Sequence, residues 1–180
     1  MKKTQLQHAA CVFTIAAALI APPLKAQQAT AAPAGIQTTF ANDAGTLSDK
    51  FTGLARVMAG KYDWKPGQGV RSVGEVLNLI AGENKMLAGL LSGTPAPGAQ
   101  AAPITDPAAM QEALRTSYAS LKQAIEKLSD ADLKAPVKLF GRDLTKQGAI
   151  MLLMGDQHEH LGQSIAYART NNVTPPWSAK

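Results

Sequence analysis

GDQHEHLGQSIAYAR, residues 155–169, is the stretch of sequence from which the rest of the chain can be interpreted. On an α-helix, residues three and four positions apart lie on one face. Asp156, His160, Gln163 and Tyr167 therefore share a face. We expect this face to point inward, where polar groups cost free energy unless they find hydrogen-bond partners or a metal ion. The stretch thus predicts a polar cluster inside a helical protein.

Signals for helix boundaries lie on both sides of the connections in the chain. Ser72 followed by Glu75 fits a capping box, and Asp106 before Pro107 fits an N-cap with proline at the first helical position. Thr145 is the predicted cap of the helix that carries residues 155–169. That helix should end near residue 172, where an asparagine tolerates the left-handed backbone that often follows a helix.

Apolar residues recur at helical spacing in three further segments. Their members are Phe40, Leu47, Phe51, Leu54 and Met58; Val73, Leu77, Ile80, Leu87 and Leu91; and Met110, Leu114, Tyr118, Leu121, Ile125 and Leu128. The connections at 92–105 and 129–143 contain proline and glycine, and only the short run at 137–140 fits an extended segment. The pattern predicts an all-α protein, a four-helix bundle.

The amino terminus has the pattern of a secretory leader. Two lysines precede an apolar run from Ala9 to Ala21, which is too short for a membrane span, and Ala26 is a small residue before a cleavage point. We predict a signal peptide at 1–26, a flexible linker at 27–36 and the bundle at 37–180. The mature protein would then be periplasmic or secreted and would have no membrane span.

Charge and cysteine content narrow the classes of function. The net charge falls from +5 to +2 once the leader is removed, because the leader holds three lysines and no acid. A charge this small does not indicate a nucleic-acid partner. Cys11 is the only cysteine and lies in the leader, so the mature chain would have neither a disulfide nor a cysteine nucleophile. We expect a small-molecule partner, and the question whether the protein forms a homodimer is left open.

Paired motifs in the two halves of the chain resemble a DinB-like domain. The first half has KYDWKP at 61–66, GVRS at 69–72 and GEVL at 74–77; the second has HLGQ at 160–163, YAR at 167–169 and VTPP at 173–176. The resemblance implies a four-helix bundle with a divalent metal on three histidines, one from helix 2 and two from helix 4. Relatives include thiol-dependent S-transferases and a maleylpyruvate isomerase.

The sequence departs from that family pattern at the metal. By register, the helix-2 histidine of the family falls on Leu79 and the first helix-4 histidine on Asp156, so only His160 is kept. Catalytic zinc sites usually have three protein ligands and one open position. A third ligand would have to be Glu83 or Glu75, each one helical turn from Leu79. We expect either one divalent ion (zinc, nickel, manganese or iron) or none, with equal weight.

Two classes of function are open. The first is a metal-poor or metal-free bundle that binds a small ligand or is purely structural, with a pocket of Leu79, Asn84, Gln163 and Tyr167. The alternative, implied by the resemblance, is a metal-dependent hydrolase or S-transferase that uses Asp156 and His160. No catalytic residue is assigned.

The remaining histidine and the large aromatics have structural interpretations. His158 is two positions from His160, about 200° round the helix, and should face solvent. Tyr62 and Trp64 could line a pocket mouth, but covering the end of the bundle is favoured, since large aromatics usually bury area.

Overall fold

The computed structural model describes residues 35–94 and 102–178. The predicted leader and most of the predicted linker lie outside these residues. Four long helices dominate the described chain: α1 at Ile36–Val57, α2 at Val73–Ser92, α3 at Pro107–Glu126 and α5 at Lys146–Thr170. Between α3 and α5 lie a one-turn helix, α4 (Asp130–Leu133), and two strands, β1 (Pro136–Leu139) and β2 (Arg142–Thr145). The prediction of an all-α four-helix bundle is confirmed.

The helices begin where the sequence predicted. At α2 the Glu75 amide donates to Ser72 Oγ at 3.2 Å, and the Ser72 amide donates to Glu75 Oε2 at 2.6 Å. Asp106 Oδ1 accepts from the third residue of α3 at 2.7 Å, and Thr145 Oγ1 accepts from the third residue of α5 at 3.1 Å. Each bond satisfies a backbone N–H that has no partner within its helix. After α5, Asn172 adopts φ +56°.

Long-range contacts set the direction of each helix. Phe51 of α1 stacks on Tyr118 of α3, and Gln37 near the start of α1 bonds residues just beyond the end of α3. α1 and α3 are therefore antiparallel. Asn78 bonds Ile104 just before α3, while Asn84 bonds Ser117 further along it, so α2 and α3 run parallel. Two parallel helices that follow each other in the sequence need a long connection, and residues 93–106 lie between α2 and α3.

The interior is mostly apolar, and α1 and α2 both pack extensively against α3. Most residues of the predicted apolar stripes are buried, and the largest fully buried side chains include Tyr118, Phe51, Met58, Leu77 and Met110. Removing this apolar area from water supplies the main driving force for folding. Among the described helices, none is long and apolar enough to cross a membrane.

The β-hairpin was not predicted as a pair of strands. β1 pairs antiparallel with β2, with Leu139 opposite Arg142. Its turn contains Phe140 at φ +50° and Gly141 at φ +74°. Leu139 is its only buried residue, so the alternation of apolar and polar residues that normally indicates a strand is weak. The run at 137–140 is extended as far as Leu139, and Phe140 belongs to the turn.

Candidate functional site

Side chains on one face of α5 form a continuous hydrogen-bonded chain. His160 Nδ1 lies 2.8 Å from Gln163 Oε1, and Gln163 Nε2 donates to the Tyr167 hydroxyl at 2.7 Å. The Tyr167 hydroxyl then donates to the Arg71 carbonyl at 3.1 Å, which ties α5 to the loop before α2. Asp156 Oδ2 lies 3.6 Å from His160 Nε2. The structure thus brings together the four polar residues that the sequence placed on one face.

This chain of bonds fixes the tautomer of His160. A carbonyl only accepts, so the Tyr167 hydroxyl must give its proton to Arg71 and accept from the Gln163 amide. The Gln163 oxygen therefore faces the histidine, and His160 Nδ1 must carry a proton. His160 Nε2 is left on the side of Asp156, where it can accept a proton or, in the imidazolium, donate one. The His160 side chain is only 15% exposed.

Glu83 of α2 completes the cluster from the facing helix. It is a buried residue, and its Oε2 has no hydrogen-bond partner within the described part of the chain. Burial and, to a smaller extent, the neighbouring Asp156 carboxylate raise the pKa of Glu83 from 4.5 to about 7, against the opposing charges of His160 and Arg71. We call Glu83, Asp156 and His160 the carboxylate–histidine cluster.

Two other α2 residues considered for the site, Glu75 and Leu79, have different surroundings. Glu75 is exposed and bound to Ser72 in the capping box, and these hydrogen bonds lower its pKa. Its carboxylate caps the start of α2 and is not part of the carboxylate–histidine cluster. Leu79, where the resemblance would place a helix-2 histidine, is half-buried and offers no ligand atom. Within residues 35–94 and 102–178, no three His, Asp or Glu side chains converge as a metal-binding group.

Asn84, expected in the pocket, is fully buried in the core instead. The Tyr118 hydroxyl donates to Gln157 Oε1 at 3.0 Å, Gln157 Nε2 donates to Asn84 Oδ1 at 2.7 Å, and Asn84 Nδ2 donates to Ser117 Oγ at 3.2 Å. We call Asn84, Ser117, Tyr118 and Gln157 the amide network. Sequence reasoning missed the last three as partners. The available signal was a pair of amides, Asn84 and Gln157, at buried positions of their helices.

The aromatic loop at 61–72 closes the bundle beside Tyr167. The Tyr62 hydroxyl donates to the Ala55 carbonyl at 2.9 Å, and the Trp64 ring meets the Tyr167 ring edge-on at 5.3 Å. Gly74 lets this loop approach α2, because a Cβ there would lie 3.1 Å from the Tyr62 carbonyl oxygen. The two aromatics cover the end of the bundle, and Trp64 also packs against a residue of the site.

His158 lies on the surface, away from the cluster. Its side chain is 49% exposed, and its Nε2 lies 2.9 Å from Asp43 Oδ2 of α1. It pairs with α1 and takes no part in the carboxylate–histidine cluster.

Comparison with known proteins gives a consistent family. The family model described as the DinB superfamily matches residues 46–164. A DinB-like protein from Bacillus subtilis is 19% identical, with a TM-score of 0.64 over 76% of this chain and 93% of its own. A DinB-like protein from Bacillus cereus is 18% identical, with a TM-score of 0.65 over 77% of this chain and 95% of its own. None of the curated proteins compared with the chain matches it.

Proposed function

Because this chain belongs to the DinB superfamily, we propose that it is an exported domain that binds a small ligand at the carboxylate–histidine cluster. In this proposal the site works without the three-histidine metal centre that the family resemblance implies.

The observation that carries the proposal is the buried carboxyl group of Glu83. Its Oε2 has no partner among the described residues, although buried polar atoms in native proteins are nearly always hydrogen-bonded. A raised carboxyl pKa beside a second carboxylate is typical of functional sites and not of ordinary surface acids. A ligand with a hydrogen-bond donor would satisfy this oxygen. Asp156, whose side chain is 43% exposed, leaves the cluster open to solvent on one side.

A metal on three histidines does not fit these residues. Leu79 is apolar, Asp156 replaces an imidazole, and no three ligating side chains converge among residues 35–94 and 102–178. The cluster can nevertheless hold and move a proton. Glu83 takes up and releases a proton near neutral pH, and Gln163 orients His160 through the proton on Nδ1. Groups that titrate close to pH 7 are suited to general acid–base work on a bound molecule.

The alternative function is a divalent-metal-dependent hydrolase or S-transferase. The observation in its favour is again Glu83, whose Oε2 has no partner among the described residues and which lies near the Asp156 carboxylate and His160. Carboxylate-rich ligation would favour a harder ion over zinc.

Elemental analysis separates the two functions. The protein should be purified without chelator and without a histidine tag. We expect less than stoichiometric metal, unchanged in His160→Ala. Stoichiometric metal that disappears in His160→Ala would support the enzyme and refute the metal-free site.

Export is the second part of the proposal, and the leader pattern at 1–26 supports it. Amino-terminal sequencing of the mature protein from the periplasm should start at or near Gln27. A membrane-bound form that retains Met1 would contradict export.

A further inference from the structure

One cavity on the described surface lies away from the carboxylate–histidine cluster. It is a groove of about 390 Å³ between the carboxyl-terminal end of α2 and the β-hairpin. Its lining includes Met86 and Leu90 from α2, and Lys138, Leu139 and Phe140 from the hairpin. Volumes of this size and apolar walls with a few polar groups are typical of small-molecule sites.

Phe140 is an unusual residue for its place in this groove. Its φ of +50°, followed by Gly141 at +74°, gives a turn in which asparagine, aspartate or glycine is favoured at the first central position. A bulky side chain is strained there. Phe140 is also 62% exposed, so it contributes little to the core. Neither the turn nor the core explains the aromatic ring, but a ligand lying in the groove would.

A lysine ammonium group lies on the rim of the groove. Lys138 lines the groove and forms an ion pair with Asp143 at 2.8 Å. Both side chains are exposed, and an exposed ion pair contributes little stability, so a second anion can compete with Asp143 for the ammonium group. Lys146 Nζ donates to the Leu91 carbonyl at 2.7 Å. This bond offsets the partial negative charge at the end of α2, which would otherwise repel an anion.

We propose that the groove binds a free anionic amphiphile, a molecule with one alkyl chain and one carboxylate. The chain lies along Met86 and Leu90 beneath the Phe140 ring, and the carboxylate pairs with Lys138. This site does not depend on the function proposed for the carboxylate–histidine cluster.

Calorimetric titration of the purified protein with dodecanoate, below its micellar concentration, tests the proposal. Phe140→Asn should weaken binding about tenfold or more, as expected for a central aromatic contact. Its melting temperature should stay level or rise, because asparagine suits the turn. Met151→Ala is the matched control: Met151 is 55% exposed on α5 outside the groove, and both binding and melting should be unchanged. Equal dodecanoate binding by the wild type and Phe140→Asn would overturn the proposal.

Two further arms test the charge and the source of the ligand. Lys138→Gln should weaken dodecanoate binding severalfold and leave dodecanol binding unchanged, and a similar loss for both would refute the carboxylate contact. Dodecyltrimethylammonium should bind more weakly than dodecanoate. Co-sedimentation with phosphatidylglycerol vesicles, without any binding of free dodecanoate, would show a membrane-docking surface and overturn the proposed free ligand.

Discussion

α2 and α5 each carry two consecutive polar residues, and the two residues of each pair belong to different side-chain networks inside the bundle. Asn84 and Gln157 enter the amide network, while their neighbours Glu83 and Asp156 enter the carboxylate–histidine cluster. In the amide network every donor and acceptor named has a partner. In the cluster, a buried Glu83 oxygen has none within the described chain. The hydrogen-bonding groups of the amide network are thus all used, whereas the carboxylate–histidine cluster keeps a buried acceptor that has no partner among the described residues.

The chemistry of the side chains explains the difference. An amide both donates and accepts, so Asn84 and Gln157 close a network without any change of charge. A carboxylate only accepts, so Glu83 and Asp156 can bond each other only when one of them holds a proton. The first arrangement holds α2, α3 and α5 together. The second stores a proton and costs stability when it ionises.

The largest expected effect comes from breaking the amide network. Gln157→Ala removes the partner of both the Tyr118 hydroxyl and Asn84 Oδ1 and leaves a cavity. Each unsatisfied buried group costs roughly 1–3 kcal/mol, so we expect a loss of about 4 kcal/mol in the free energy of unfolding, measured in urea. Gln163→Ala is the matched control, because Gln163 belongs to the half-buried hydrogen-bonded chain on α5. We expect it to lower the free energy of unfolding by about 1 kcal/mol. Equal losses would contradict the contrast between the two networks.

The second prediction concerns Glu83 and has a defined dependence on pH. Its pKa is about 7 in the folded protein and near 4.5 when unfolded. The folded state therefore binds more protons between these values, and stability falls as pH rises from about 4.5 to about 7. Glu83→Gln should abolish this fall and raise stability at pH 8 by roughly 2–3 kcal/mol, with little change at pH 4. A parallel pH profile in wild type and mutant would refute the assignment.

Glu75, two turns earlier on α2, should show the opposite sign with a smaller effect. Its pKa is lowered because the ionised carboxylate accepts from Ser72. It therefore contributes stability above its ordinary pKa of 4.5, and this contribution is lost as pH falls through the lowered value. Glu75→Gln should destabilise the protein slightly at pH 7 and have less effect at acid pH. Thermal melts at several pH values measure both substitutions together. Stabilisation by Glu75→Gln would show that the capping box is not the role of this residue.

The helix starts could be predicted from the sequence because their causes are local. Ser72, Asp106 and Thr145 each bond an amide three residues ahead, and that spacing is visible in the sequence. The hydrogen-bond partner of Asn84 could not be predicted in this way, because it is Gln157, 73 residues away. For the same reason, the sequence could not show which of Glu75 and Glu83 lies near Asp156 and His160. Both lie one turn from Leu79, and only the packing of α5 distinguishes them.

The hairpin shows a second limit of sequence reasoning. Strands are recognised by alternation between a buried and an exposed face, and here only Leu139 is buried. Phe140 adds to the difficulty, since a bulky aromatic does not indicate a turn with positive φ. The groove beside the hairpin therefore could not be predicted from the sequence.

The proposal that the carboxylate–histidine cluster works without a bound metal is tested most directly by supplying the histidines that the family resemblance implies. Leu79→His with Asp156→His supplies three imidazoles with His160. We expect zinc, nickel or manganese to stabilise this double mutant by about 2.7 kcal/mol at a hundredfold excess over the dissociation constant, read as a rise in melting temperature. The wild type should respond much less. An equal response in the wild type would contradict the claim, because Glu83, Asp156 and His160 would then hold the metal themselves.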